Sequence, residues 1–358
     1  AHYNSKNKSI GTCYWDKNSV CFEPNVGQMI LRQLLSNEPN IVLLLNTKVT
    51  QLTKTLNTIT GVITDKGDTM TSKIVIDASE YGDLIPLSGA NYRVGNSTNS
   101  SLNTSACIQD ITYTAIIKKY PSGVPPALVI TTPPPGYDSV KYYFSTQLSK
   151  TGSSVPAQIP ANWNNFVAYR GLPDSSNPSN YDTTTPQNIT RTSLNWFNDY
   201  EVLADYLINP TTRTNINCAA KLKTIQLLYY IQTVMGQTNW SVANDEGYNT
   251  LYNQQNSCAN IPASLKEIEY QMPLIPYVRE GIRVIGNNTF TAKQANMRQP
   301  LTGSTDSIAI GTYFLDLHNC KSCTCQVNNN LENSLETAAD NIHVPGPFVV
   351  PLYSLIPA

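Results

Sequence analysis

Two short runs of this chain, Ile41 to Leu45 and Lys73-Ile-Val-Ile-Asp77, are aliphatic almost throughout, and they constrain its fold more than any other feature. A strand with one wet face alternates apolar and polar residues, whereas a continuous aliphatic run is what a strand covered on both faces needs. Both runs are therefore expected to be buried strands. Lys48 to Leu52 continues from the first in extended form, Thr58 to Thr64 alternates Ile59, Gly61 and Ile63 with Thr and Val, and Asp65-Lys-Gly67 reads as a turn leading to the second. Ahead of them Phe22-Glu-Pro24 opens a helix with proline in its first turn. Val26, Ile30 and Leu34 give that helix one apolar face, and Asn37-Glu-Pro39 ends it. Helix, buried strand, antiparallel excursion and buried strand make an α/β chain.

From Asn96 to about Thr214 the texture changes to Pro, Tyr, Asn and Ser with few helical periods. Short strands are expected at Ile111 to Ile117, Ala127 to Thr131, Lys141 to Ser145 and Phe166 to Tyr169, with loops at Pro133 to Gly136 and Asn177 to Asp182. A helix then carries Leu222, Ile225 and Tyr229 on one stripe and ends before Gly236. This middle part reads as mixed α+β. At 358 residues the chain is long enough for two domains.

Composition narrows the partners. Lys plus Arg number 24 against 25 Asp plus Glu, with no polybasic cluster, so a nucleic-acid partner is not expected. The longest clean aliphatic run is far short of the ~20 residues of a membrane helix, so no membrane span is expected either. Ala1 to Gly11 carry no apolar signal core. Seven Asn-x-Ser/Thr sequons are about what the abundance of those residues gives by chance. Eight cysteines suit disulfides or reduced buried thiols. The densest group, His318-Asn-Cys320-Lys-Ser-Cys323-Thr-Cys325, lacks the second ligand pair of a structural zinc site, so no metal is expected. Disulfides from this group to Cys13, Cys21, Cys107, Cys218 or Cys258 are the better reading and favour an extracellular or secretory setting.

Five blocks, in order along the chain, carry a resemblance. Leu43-Leu-Leu-Asn-Thr-Lys-Val49, Thr60 to Gly67 and Lys73 to Ser79 are similar to the second signature of flavoproteins with two dinucleotide-binding domains. Ile76-Asp-Ala-Ser-Glu-Tyr-Gly-Asp-Leu84 with Leu87-Ser-Gly-Ala-Asn-Tyr-Arg-Val-Gly95 resembles a pattern of the FAD-dependent oxidoreductase family. So do Pro276-Tyr-Val-Arg-Glu-Gly-Ile-Arg-Val-Ile-Gly286, Asp306 to Tyr313 leading into Leu315-Asp-Leu-His318, and Pro347 to Pro357.

The resemblance implies an FAD-binding Rossmann-like layer, here incomplete, formed by residues 1–95 and 301–358, with a mixed β/α substrate domain at 96–300 inserted between them. It implies main-chain contacts from Lys48 and Val49 to the adenine half of FAD, and Ala78 and Ser79 along the dinucleotide path. Asp83, after Gly82, would lie in the crevice beyond the strand end or cap the next helix. Arg279 and Glu280 are the implied catalytic pair, Arg279 holding an anionic substrate or the charge of the reduced ring, with a surface ion pair as the alternative. His318 would act with Asp316 in acid/base chemistry, or be structural.

The departures bear on the cofactor. No Gly-x-Gly-x-x-Gly occurs, Glu80-Tyr81 stands where the family has Gly-Asp, and the chain ends soon after the last block. The expectation is therefore a piece of a longer parent that binds FAD and passes hydride from an organic substrate to it. This chain alone would hold FAD poorly, and its expected partner is a small-molecule substrate or further protein chains that complete the fold. The other reading is a non-catalytic extracellular structural or assembly protein on a flavoprotein fold that has lost FAD.

Overall fold

The computed structural model describes residues 2–6, 11–13, 16–95, 102–106, 108–139, 163–177, 185–195, 198–286, 307–311 and 348–351. Helices and strands are mixed along the chain, and every strand pairing among the described residues is antiparallel. The chain divides into two compact units. Residues 1–43, 111–200 and 215–277 form the first, and 44–110, 201–214 and 278–358 the second.

In the first unit a three-stranded sheet has Ala115–Lys119 at its centre, flanked by Trp240–Val242 and Arg191–Leu194. Four of the five central residues are buried, as two-sided cover requires. Ile117, Leu194, Ile225, Leu228 and Ile231 are all at most 1% exposed and form its core. The helix Pro210–Thr233 supplies three of them from its later turns. Its burial is broader than the expected stripe: Ala220, Lys221, Thr224 to Leu228 and Tyr230 to Gln232 are buried, while Leu222 and Tyr229 are only half-buried. Cys218 and Cys258 are disulfide-bonded to one another, which removes these two from the partners open to the late cysteines.

One cation anchors this unit. Arg191 is fully buried, and its Nη2 donates to Asp245 Oδ2 at 2.7 Å and to Asp174 Oδ1 at 3.0 Å. Its Nη1 donates to Asp245 Oδ1 at 2.9 Å and to Glu246, and Glu23 stands 3.6 Å from Nε. Lys118 Nζ adds a bond to Asp245 at 2.8 Å. Burial works against the ionised carboxylates, but the guanidinium and Lys118 hold Asp245 down to about 2, and Arg191 with Ser176 and Thr190 lowers Asp174. At Glu246 burial wins, and its carboxyl is raised.

In the second unit Val49–Thr55, Thr58–Thr64 and Thr69–Thr71 form a meander, with the Gly67 turn at φ +83° where it was expected. Ser307–Gly311 pairs with Phe348–Pro351, which brings parts of the last two motif blocks together.

Both aliphatic runs that promised buried strands are irregular and exposed. Residues 41–45 belong to no strand and each is at least 49% exposed, while Ile74 and Ile76 are 76% and 81% exposed. The meander stops at Thr71 because Ser72 turns the chain, its Oγ taking a bond from the Ile74 N–H. No described residue forms a ladder with either run. The helix Pro24–Ser36 has its predicted bounds with Pro24 at the start, but only Val26 of its apolar face is buried. Phe166 to Tyr169, expected as a strand, lies in the helix Trp163–Tyr169. Ala127 and Leu128, expected to open a strand, lie instead in the 3-10 turn Pro126–Leu128, for which Pro125-Pro126 preset the backbone. Among the described residues no helix is long and apolar enough to cross a membrane.

Candidate functional site

The second unit brings parts of two motif blocks together around one turn. The block from Ile76 to Leu84 folds so that Gly82 sits at φ +76°, a left-handed conformation that glycine adopts without strain. A Cβ on Gly82 would come within 2.9 Å of the Ile282 carbonyl oxygen, and one on Gly281 within 3.2 Å of the Glu80 carbonyl. The two glycines thus let the main chains of 80–82 and 281–282 touch, closed by a bond from Ile282 N–H to Tyr81 O at 2.8 Å. Tyr92–Arg93 then pairs with Arg283–Val284, and Ile285 N–H donates to Asn91 O at 2.8 Å.

Glu280 lies just before this contact and is 5% exposed. Its Oε1 accepts from the Gln109 N–H at 3.1 Å, while Oε2 is buried with no hydrogen-bond partner. Burial pushes the carboxyl up to about 7, a rise that Arg283 and the Gln109 bond only partly offset. Burial also lowers Arg283, against the pull of Glu280. Arg283 and Arg93 are register partners, so two cations face each other across the strand pair beside one carboxyl. Arg279 is half-buried, and its guanidinium donates to the Asp110 carbonyl.

The expected cofactor positions are also in this unit. Ala78 and Ser79 are exposed. Ser79 Oγ accepts from the N–H groups of Gly82 at 3.1 Å and Asp83 at 3.0 Å, and Asp77 accepts from Ser79 at 2.9 Å and Leu84 at 2.9 Å. Lys48 gives its N–H to Asp65 Oδ1 at 3.1 Å, and its carbonyl accepts from Asp65 N–H at 2.7 Å. Val49 is the first residue of the meander. Asp83 stands ahead of the helix Leu84–Ser88 without capping it. Both its oxygens instead pair with Arg213, at 3.1 and 2.9 Å. That guanidinium also lies 3.8 Å over the Tyr81 ring, and Tyr81 meets Tyr206 hydroxyl to hydroxyl at 3.2 Å.

A dinucleotide's pyrophosphate needs backbone N–H groups with no other acceptor. At 79–84 four such groups, those of Ser79, Gly82, Asp83 and Leu84, are taken by Asp77 and Ser79, so this turn leaves few of them to a pyrophosphate.

Sequence reasoning singled out Glu280 and Arg279 but not Gln109, Arg213 or the Arg93–Arg283 pairing. The matching Tyr-Arg-Val and Ile-Arg-Val triplets were a usable signal for the last. Nothing in Thr211-Thr-Arg-Thr214 marks Arg213. His318, with Cys320, Cys323 and Cys325, lies outside the described residues. Among the described residues no cluster of His, Cys, Asp and Glu is built to hold a metal.

Comparison with known proteins gives one match. The model of the family described as FAD dependent oxidoreductase aligns with residues 2–358. No curated protein and no solved structure matches the chain. Two of the blocks that suggested this kinship meet at the Gly82–Gly281 contact, and the match runs almost end to end: the chain belongs to the FAD dependent oxidoreductase family.

Proposed function

We propose that the chain acts in flavin-dependent oxidation of an organic substrate, with hydride passing from that substrate to FAD, and that Glu280 handles the accompanying proton. The observation that carries this reading is the buried Glu280 carboxyl, with one oxygen held by Gln109 and the other unpartnered. A carboxyl near 7 accepts and returns a proton at neutral pH, which one near 4.5 does poorly. In this reading Arg279, one residue away, orients a carboxylate on the substrate. The segments 1–95 and 301–358 serve as the FAD-binding, Rossmann-like part and 96–300 as the substrate part, a division supported by where the motif blocks fall. The Cys218–Cys258 disulfide supports a secretory or extracellular setting.

A second reading has its own observation. The N–H groups capped by Asp77 and Ser79 suit a protein that keeps the family fold without flavin, as a structural or assembly component. Absorbance of the purified protein with added FAD separates the two. Under the first reading the flavin is also bleached by a panel of alcohols, amines and hydroxy acids, at a rate that rises with pH through about 7. Glu280→Gln removes that inflection. A variant that keeps the inflection overturns the role of Glu280, and a protein that binds FAD but is bleached by no donor overturns the enzyme reading.

A further inference from the structure

The first unit contains a cavity of about 200 Å³ that belongs to none of the motif blocks. Trp163, Trp240, Gln187, Gln237, Asn239 and Lys119 line it. Its aromatic wall is rigid. Trp163 stacks on Phe166 with ring centroids 5.4 Å apart and meets Trp240 edge-on at 5.2 Å. Trp240 itself is 2% exposed and fixed in the sheet.

The polar groups around that wall are amides. Gln237 commits its Nε2 to the Met235 carbonyl at 3.0 Å. The side-chain amides of Gln187 and Asn239 make no hydrogen bond with any described residue. Lys119 is the one ionisable group among these lining residues, and no carboxylate lines the cavity among them.

This chemistry selects its ligand by exclusion. An apolar ligand would leave the amides unpaired at about 1–3 kcal/mol for each one buried. A phosphate needs several cationic or backbone donors, and a cation would meet the like charge of Lys119 with no lining carboxylate to offset it. By the ~30 Å³ share of a liquid water, the cavity displaces six or seven waters, well below the roughly 300 Å³ at which drug-sized pockets begin. A single sugar ring has this size. Its hydroxyls donate and accept at once, as amides do, and its polarised C–H groups pack against the negative face of an indole. We propose that this cavity binds one glycosyl unit, with the Gln187 and Asn239 amides pairing its hydroxyls and Lys119 at the rim accepting a carboxylate-bearing sugar. The proposal is independent of the flavin chemistry.

The test is tryptophan fluorescence and saturation-transfer NMR on the full chain with D-glucose and D-glucuronate, and with inorganic phosphate and L-phenylalanine as other chemistries. A saturable response to at least one sugar is expected, weakened about tenfold by Gln187→Ala or Asn239→Ala, the loss of roughly one hydrogen bond. Gln187 is exposed, so its variant is expected to fold, and circular dichroism checks both. Lys119→Met weakens glucuronate and leaves glucose unchanged. No saturable response to either sugar, wild-type affinity retained in both amide variants, or a response confined to phosphate or phenylalanine overturns the proposal.

Discussion

Glu280→Gln has a consequence for stability that can be worked from the burial of one carboxyl, apart from any activity. The group titrates near 4.5 when unfolded and at about 7 in the folded protein. The folded state therefore holds more protons between those values, and stability falls as pH rises across that window. At ~1.36 kcal/mol per pH unit, this one carboxyl removes about 3 kcal/mol between pH 4 and pH 8. Glutamine keeps an oxygen for the Gln109 N–H and stays neutral throughout, so the variant lacks the loss. Urea denaturation of both proteins at pH 4, 6 and 8 gives the comparison, with m-values checked for constancy. The variant's stability minus that of the wild type is expected to grow by about 3 kcal/mol from pH 4 to pH 8. Other titrating groups cancel in that difference. Two pH curves that run parallel to within about 0.5 kcal/mol would show that Glu280 is not desolvated as described here.

Three further outcomes are expected. Arg191→Met leaves Asp174, Asp245, Glu246 and Glu23 around a missing cation and costs about 3–5 kcal/mol at pH 7, read by denaturation, and a loss under about 1 kcal/mol refutes the anchoring role. In the wild type the low Asp245 value means stability present at neutral pH and lost as acid carries the solution from about 4 towards 2, seen as an acid unfolding limb that Arg191→Met shifts upward. Replacing Cys218 and Cys258 together by serine opens a link between residues 40 positions apart. The chain-entropy relation puts this at about 4 kcal/mol, testable by thermal unfolding with and without reductant.

Legibility followed the range of the interactions. The helix Pro24–Ser36 was readable because proline at its start and Asn37 at its end are local signals, and the Asp65 to Gly67 turn because Gly67 alone takes a positive φ cheaply. The two aliphatic runs misled for the opposite reason. Residues 41–45 and 73–77 have strand-like composition, but a strand exists only where another main chain pairs with it, and no sequence window contains that neighbour. Phe166 to Tyr169 became a helix because an apolar run of four fits either period, and the packing of Phe166, Val167 and Ala168 decided it. At the candidate site, Glu280 stood out as a charge in a charge-poor chain. Gln109, which holds it, is 171 positions away, and Arg213 reaches Asp83 from 130 positions away. Pairings of that separation leave no local mark.

The cluster around Arg191 also bears on how long the native state lasts. Its carboxylates come from parts of the chain far apart in sequence, which are expected to meet late in folding: Glu23 bonds Ser175 across 152 positions, and Asn25 bonds Glu246 across 221. Loop entropy grows only slowly with such lengths, about 0.6 kcal/mol per doubling, so the burden falls on the order of events in folding. Contacts made after the transition state leave the folding rate nearly unchanged and set the unfolding rate. The cluster is then a kinetic clasp. By stopped-flow, Arg191→Met is expected to unfold about a hundred- to several-thousandfold faster, the full ~3–5 kcal/mol, while refolding at close to the wild-type rate, so that proteases which outpace reclosing cut it in a correspondingly shorter time.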